Sequence, residues 1–548
     1  MTKKSSTSAL TPDQHAKQDK LYAEGHEYDY VIIGTGSSAL TVGSLLANAG
    51  KKVCLLEYHD IPGGYAHTFK MGEFSFCAQI HYIWGCAPGG RIYEFLKRLG
   101  LEKDITFELF DTKGYDHMVM PDGKSVNIPY GWDKLTENIA EAYPDQREPV
   151  AKFLKTLAKI RHELQYVPIG KFSKWKLLPK YFKIRTLIKY QKATVQQLFD
   201  EFKLSKESQA VLIANAGNFM APPNRLSVFM YAGLFGGYNT GAYYPTKHFK
   251  YYVDRLMKAI TDKEGCHVYY ETEVTKINIE GDQVVSVDTA NGKTFKAKNF
   301  ICNMDPQKAA EKLIGMDKFP KDYQEKLKFE YSPAGVVVYL GLRDIDLKEH
   351  GFGSFNTWHL NQWDMNKMWQ EASEGNLEKP WIFMSTPTLH TPEGGTAPEG
   401  QQILEIATYL EYDTFKEPQD KSYSDYAKLK FSTAKMMVDF VEKNYIPELR
   451  KHIAVQVIGT PVTNEDFVMA TRGNSYGAML IPEYMSPKKL TPETPWKNFH
   501  WCNASSGWGG IYGTVTGGMY LYMDLTGDRF YKGSPSDDEM IKALPASH

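Results

Sequence analysis

Four apolar or aromatic residues, Tyr30-Val-Ile-Ile33, run straight into Gly34-Thr-Gly36-Ser-Ser-Ala39. A short apolar run bounded by glycine reads as a parallel strand buried on both faces. Gly34 and Gly36 predict a tight turn that lets the backbone approach a pyrophosphate. Ser37 to Ala49 predict a helix, with Ser37 and Ser38 in its first turn and its N–H groups aimed at that anion. Ala39 takes the third small position, where helix meets strand. Gly50 ends the helix, Lys52 to Leu56 form the next strand, and Glu57 closes it at the spacing that suits a ribose diol. One GxGxxA alone constrains little; between strand and helix, with an acid at this distance, it commits the chain to an α/β fold of the dinucleotide-binding kind.

The acid also selects the dinucleotide. A carboxylate at Glu57 repels a 2′-phosphate, which disfavours NADP. Pro62-Gly63-Gly64 follows at once. NAD needs no second glycine turn there, whereas a flavoprotein passes a second stretch of backbone close to its cofactor, so FAD is the better reading. No other Gly-x-Gly follows a clear strand, and a separate NADH site is not visible.

The chain has 548 residues, a net charge of −1 and 42% apolar residues. That is room for two or three domains, with nothing that suggests nucleic acid. Its six cysteines form no CxxC pair and no metal-finger spacing, and His59, His67 and His81 lack metal-ligand spacing; no metal site is expected. This cysteine usage suits a reducing cytoplasm. Residues 1–27 are polar, contain no apolar core for a signal peptide, and are expected to be a disordered tail. No run reaches the roughly 20 apolar residues of a membrane-spanning helix.

Further along, helices are expected at 91–100, 130–164, 249–261 and 423–445. Strands are expected at 268–274, 284–288, 300–302, 335–342, 381–385 and 403–410, with a hairpin over 115–129 around Pro121-Asp122-Gly123. Ala214 to Tyr244, rich in Gly, Phe, Tyr and Met, reads either as the wall of an apolar cavity or as ordinary core. Between Glu163 and Asp200 there is no acidic residue and there are eight basic ones, from Lys171 to Lys192. Phe172, Trp175, Tyr181, Phe182, Ile184, Leu187 and Ile188 are interleaved with them. Such a mixture suits a segment lying in an anionic membrane interface, or a basic helix whose apolar side faces the core. Near the far end, Phe499-His-Trp-Cys502 reads as a buried strand. Asn503-Ala504, Gly509-Gly510-Ile511 and a helical run from Thr514 to Met523 follow, forming a second anion-facing helix start.

In their order along the chain these segments resemble the FAD-dependent phytoene desaturases, carotenoid isomerases and retinol saturases. The resemblance extends from about residue 28 to 526. Ile80-His81-Tyr82-Ile83 after the glycine pair is similar to the isomerase/saturase branch. Tyr243-Tyr-Pro245, Val274, Asn303-Met-Asp-Pro306, Tyr339-Leu-Gly341, Ala397-Pro-Glu-Gly400, Thr460-Pro461 and Gly473-Asn-Ser-Tyr-Gly477 also match. The resemblance implies a two-dinucleotide-binding, Rossmann-like FAD domain made of 28–145, 240–330 and 480–548. An inserted α+β, membrane-facing substrate domain would comprise 146–239 and 331–479. Gly34, Gly36, Ser37, Ser38 and Ala39 would line the pyrophosphate, and Glu57 would hold the adenosine ribose. Gly63, Gly64 and Tyr65 would pass near the flavin, and Val274 would meet the adenine. Asn303, Asn503, Ala504, Gly510 and Ile511 would complete the cofactor site. The chain departs from the family at Tyr65, Cys77, Gln79 and Thr246 to Phe249, and in having Asn503 where an aspartate is usual.

The implied activity is redox chemistry or redox-neutral isomerisation at double bonds of a hydrophobic polyene, a carotenoid or retinoid, with flavin N5 as the hydride site. The isomerase/saturase branch favours reduced FAD. His67 and His81 are candidate proton donors, the plainer reading of each being a hydrogen bond to backbone or cofactor. Polyunsaturated fatty acids or amines are the alternative substrates, and a non-catalytic lipid-binding protein of the same fold is the third reading. The chain would be cytoplasmic and peripherally membrane-associated through 171–192.

Overall fold

The computed structural model describes residues 10–167, 174–391, 393–485 and 489–545. At its centre lies a five-stranded sheet, in the order His267–Tyr269, Val53–Leu56, Tyr28–Ile33, Ala297–Cys302, Phe499–Trp501. Every pair in it is parallel. Strands from both ends of the chain therefore close one sheet. Alternate residues of Tyr28–Ile33 face opposite layers. Tyr30 and Ile32 pack with Leu40 and Leu45 of the helix Ser37–Asn48 and with Met519 of the helix Gly510–Thr526. Val31 and Ile33 face Val274, Ile277 and Val287 of a small antiparallel sheet.

The expected strand over 268–274 is two strands. His267–Tyr269 belongs to the parallel sheet and Val274–Glu280 to the antiparallel one. Glu271 between them has φ +48°, a left-handed turn no β-strand can contain. Backbone bonds from Glu271 N to His59 O (3.1 Å) and from Thr272 N to Glu57 O (2.8 Å) pin the break beside the end of the second strand.

A second, seven-stranded sheet runs in the order Ile453–Gly459, Gly335–Leu342, Gln402–Tyr409, Ile382–Ser385, Asn356–His359, Asp116–Val119, Ser125–Ile128. The last two strands are the expected hairpin. They lie within the 28–145 segment that the sequence assigns to the nucleotide-binding part, yet they extend this other sheet, because Asp116–Val119 pairs in parallel with Asn356–His359. Val336, Val338, Leu404 and Ile406 on one face meet Met437, Val438 and Val441 of the helix Tyr423–Asn444. Val337, Phe383, Trp358 and Ala407 on the other face belong to the central core.

Residues 10–27 are not a disordered tail. Pro12–Ala23 is a helix started by a capping box between Thr11 and Gln14. Gln18 exchanges hydrogen bonds with the backbone of Tyr270, and Tyr22 packs edge-on to Phe295 at 5.3 Å. Residues 1–9 lie outside the described residues. Of the basic segment, Lys171 and Phe172 also lie outside them. Tight turns span Lys174–Lys183 and a short helix spans Arg185–Tyr190. Ile184 and Leu187 are buried and so belong to the core rather than to an anchor, whereas Tyr181 is 48% and Phe182 80% exposed. Among the described residues no helix is long and apolar enough to cross a membrane, and all six cysteines are buried and unpaired.

The helices Ser37–Asn48 and Gly510–Thr526 pack directly on each other. At Gly518 an added Cβ would lie 2.7 Å from Ser38 O and 2.7 Å from the Thr41 Cβ. Gly518→Leu is therefore expected to prise the pair apart and cost about 1–3 kcal/mol, as overpacking does. Urea unfolding of the variant checks this, and an unchanged midpoint would contradict the close approach.

Candidate active site

One cavity of about 530 Å³ connects the two helix starts with the inner face of the seven-stranded sheet. Gly34, Gly36, Ser37, Ser38, Glu57, Gly64, Tyr65, Val274, Asn303, Asn503, Ala504, Gly510 and Ile511 all line it, as do His67 and His81. Ala39 and Gly63 do not. Ala39 is fully buried in the core with the first strand. Gly63 lies behind the wall, where a Cβ would meet Val253 at 3.2 Å.

Both helices begin at a glycine, Gly36 or Gly509, without a side-chain cap. Their first-turn N–H groups stay available, and two positive dipole ends converge on one space. The first turn is braced by Asn303. Its Oδ1 accepts from Gly36 N (2.9 Å), and its Nδ2 donates to Ser38 Oγ (2.8 Å) and to Cys502 O (2.5 Å). A Cβ on Gly36 would sit 2.5 Å from that Oδ1, so only glycine fits the cradle. Asn503 is also a brace. Its Oδ1 accepts from Ser506 N (2.9 Å) and its Nδ2 donates to Met304 O (3.0 Å), which holds the C-terminal turn in shape.

Glu57 accepts from Thr35 N (2.9 Å) and the Thr35 hydroxyl on one oxygen, and from His59 N (2.8 Å) on the other. Burial pushes its carboxyl above the usual carboxylate range, against the opposing pull of Thr35 and His59. A carboxylate offers about four acceptor sites. Three are used, which leaves one acceptor site on a side chain that lines the cavity.

The second glycine turn stacks on the first. Gly63 and Gly64 have φ +115° and +55°, and a Cβ on Gly64 would lie 3.2 Å from Gly36 Cα. His67 fastens this turn by donating from Nδ1 to Gly64 O (2.6 Å). Burial lowers its pKa below the ordinary histidine value. It fits the plainer reading, a brace on the backbone. Tyr65 donates to Asn474 O (2.5 Å), tying the turn to the segment before Gly477. The two uncapped helix starts, the glycine cradle and the spare acceptor on Glu57 suit a pyrophosphate flanked by a ribose, and FAD fits these residues.

Sequence reasoning missed several lining groups. Lys308 and Lys312 bring positive charge to the nucleotide end. Burial, then repulsion from Lys312, lowers the Lys308 ammonium below its usual range. Trp358 and Phe383 from the seven-stranded sheet, and Trp381 just before the strand Ile382–Ser385, wall the opposite end with Met220, Leu234 and Tyr238. The stretch 214–244 thus supplies both cavity wall and core. A Cβ at Gly217 would lie 2.9 Å from both Trp358 and Trp381, so glycine there lets the aromatic wall close. Among these apolar residues a 2.8 Å hydrogen bond joins His81 Nδ1 and Glu405 Oε2. Burial lifts the Glu405 carboxyl and the imidazole opposes it. Tyr82, beside it, donates to Asp116 Oδ2 (3.1 Å) and accepts from Asn218 Nδ2 (2.5 Å). Among the described residues no three His, Cys, Asp or Glu side chains converge as metal ligands.

Glu57→Arg should abolish ribose binding and oppose the Thr35 turn. A charge-assisted hydrogen bond contributes about 1.5–3 kcal/mol, so FAD affinity should fall at least about ten-fold. Flavin absorbance retained after gel filtration measures it, and full retention would contradict the assigned role of Glu57.

Residues 40–429 match the flavin containing amine oxidoreductase family. The chain is 26% identical over 494 residues to the chloroplastic prolycopene isomerase of Daucus carota, covering 86% of this chain and 75% of that one. It is 24% identical over 525 residues to the all-trans-retinol 13,14-reductase of Danio rerio, covering 90% and 85%. The solved cyclohexylamine oxidase of Brevibacterium oxydans IH-35A superposes with a TM-score of 0.58 at 14% identity, over 91% of this chain and 99% of that one, a likeness of fold. The chain belongs to the flavin containing amine oxidoreductase family and is an FAD-dependent oxidoreductase or isomerase.

Proposed function

We propose that the enzyme acts on double bonds of a hydrophobic polyene, a carotenoid or retinoid. The observation that carries this reading is the continuity of one cavity from the nucleotide cradle into an aromatic chamber. A long apolar chain can lie against Trp358, Trp381, Phe383, Leu234 and Met220 with its reacting carbons near the flavin end. The prolycopene isomerase and retinol reductase among the relatives support the same substrate class.

Bound in the cradle, FAD supplies the hydride chemistry or, when reduced, the electron density that loosens a double bond. The protein supplies position and protons. Tyr65, His67 and the Gly63-Gly64 turn hold the wall beside the flavin end. His81 is the proton-handling group. Its Nδ1 is fixed by Glu405, the residue lines the cavity, and no described side chain or backbone group engages Nε2. Removing such a group costs about 10²–10⁴-fold in rate. His81→Gln should therefore lower turnover at least about 100-fold while leaving FAD bound.

Reduced and oxidised enzyme should be incubated with polyenes, polyunsaturated fatty acids and amines, and the products weighed. Unchanged mass with shifted retention identifies an isomerase, and a change of two hydrogens a saturase or desaturase. Conversion of amines alone would overturn the polyene reading.

The basic segment supports a peripheral association of a cytoplasmic protein with anionic membrane, narrowed to Tyr181 and Phe182 as apolar anchors beside Lys180 and Lys183. Phe182→Ser combined with Lys180→Ser and Lys183→Ser should reduce co-sedimentation with vesicles containing phosphatidylserine about ten-fold. Undiminished binding would refute the anchor.

A further inference from the structure

Beneath the aromatic chamber lies a row of polar side chains that cofactor and substrate binding do not use. In the seven-stranded sheet Tyr339 stands opposite Glu405, Glu405 opposite Ser385, and Asn356 opposite Asp116. The pairing of Thr357 with Met384 sets Asn356 beside Ser385. The polar row therefore runs unbroken across the sheet from Glu405 to Asp116, about 14 Å at the usual strand spacing. The next row on the same face is Val337, Ala407, Phe383, Trp358 and Met118, all apolar or aromatic, which confines the polar row to one track.

Glu405, Ser385, Asn356 and Asp116 are each at most 1% exposed. Glu405 Oε1, Ser385 Oγ, both amide atoms of Asn356 and Asp116 Oδ1 make no hydrogen bond of acceptable geometry within the protein, and neither does the amide of Asn215, although Trp358, Asn215 and Asn356 stand close enough to Asp116 to act on its carboxyl. An unsatisfied buried polar group costs about 1–3 kcal/mol. Several along one line point to a common partner, and ordered water is the usual one in a polar interior. The two ends of the row return to the cavity through consecutive residues. Glu405 holds His81, and Asp116 accepts from Tyr82.

We propose that this row is the bed of a chain of ordered waters that carries protons between Asp116 and Glu405 and recharges His81. The proposal rests on His81 as the group that handles the substrate proton. Glu405, protonated on Oε2, donates to Nδ1 of a ring whose second nitrogen, Nε2, carries the other proton; when Nε2 gives that proton to a substrate carbon, Glu405 passes its own to Nδ1 in the same step. A proton from Asp116, handed along the waters past Asn356 and Ser385, then restores Glu405. In an isomerisation the substrate returns a proton to Nε2 while Nδ1 hands one back to Glu405 and the row, and the balance is zero; in a saturation, a solvent proton reaches Nε2 through the cavity and the row resets in the same way. Burial lifts the Asp116 carboxyl to about 7, against the opposing pull of Tyr82, Trp358, Asn215 and Asn356, so it is a proton reservoir near neutrality. Tyr82, Tyr115 and Tyr238 face Asp116 as phenols held well above their ordinary range. His81, Tyr339, Tyr244 and the Cys77 thiol surround Glu405.

Asn356 and Ser385 touch neither the cavity nor the cradle, so their replacement tests the row alone. In FAD-loaded Asn356→Leu and Ser385→Ala, turnover of the converted polyene should fall about 10- to 100-fold with KM unchanged. The solvent deuterium isotope effect on turnover should rise, because proton supply then limits the rate. Ser385→Thr, which keeps the hydroxyl, should restore both values. Folded variants with parental rates and isotope effect would overturn the proposal. A high-resolution crystal structure of the FAD-bound parent decides the same point without any substrate. Waters bridging Asp116, Asn356, Ser385 and Glu405 are expected; a dry row with these side chains paired to one another overturns the proposal. A parent inert on every polyene, with those waters in place, would sink the substrate reading and leave the water chain standing.

Discussion

The contact on which this structure depends is the one between the helices Ser37–Asn48 and Gly510–Thr526. Ser38 and Cys502, 464 residues apart, are joined by a 2.7 Å hydrogen bond, and Asn303 binds both of them. Three distant segments thus meet at one carboxamide. Gly518 allows the backbones to touch, and the touching brings two uncapped helix starts to one point. A single such terminus is a modest attraction for an anion. Two of them around one buried space, with Asn303 and Asn503 holding the intervening turns, make a cradle of fixed geometry.

The seven-stranded sheet does the complementary work. Its outer face is closed by the helix Tyr423–Asn444, which packs on aliphatic residues of the central strands. Its inner face alternates an apolar and aromatic row, which shapes the chamber, with a polar row, which keeps two acids away from bulk solvent. The same period of two that makes the sheet stable sorts its side chains into a surface for a lipid and a store of ionisable groups behind it. His81 and Tyr82 stand between these layers because their extended segment crosses above the sheet.

Much of the nucleotide half was legible in the sequence. Strand, glycine turn, helix and acid are local, and each is enforced by backbone sterics at Gly34, Gly36 and Glu57. The C-terminal turn was legible for the same reason. Finer roles were not, because they depend on where distant residues end up. Asn503 and His67 have side chains that suit a cofactor, yet each is committed to backbone partners. Asp116 and Glu405 carry no motif at all; only strand register places them in line. The tail helix Pro12–Ala23 was missed because polar composition outweighed the Thr11-Pro12 start signal, and the break at Glu271 because apolar residues continue on both sides of it. Ile184 and Leu187 alternate with lysines just as anchoring residues do, and only packing distinguishes the two cases.

The split cradle also has a consequence for biogenesis. Residues 34–64 leave the ribosome hundreds of residues before 503–514, so the growing chain exposes half of a nucleotide site, with strand edges waiting for partners at 297–302 and 499–501. Capture of the flavin therefore belongs to the end of synthesis, when the last parallel strand slots into the sheet.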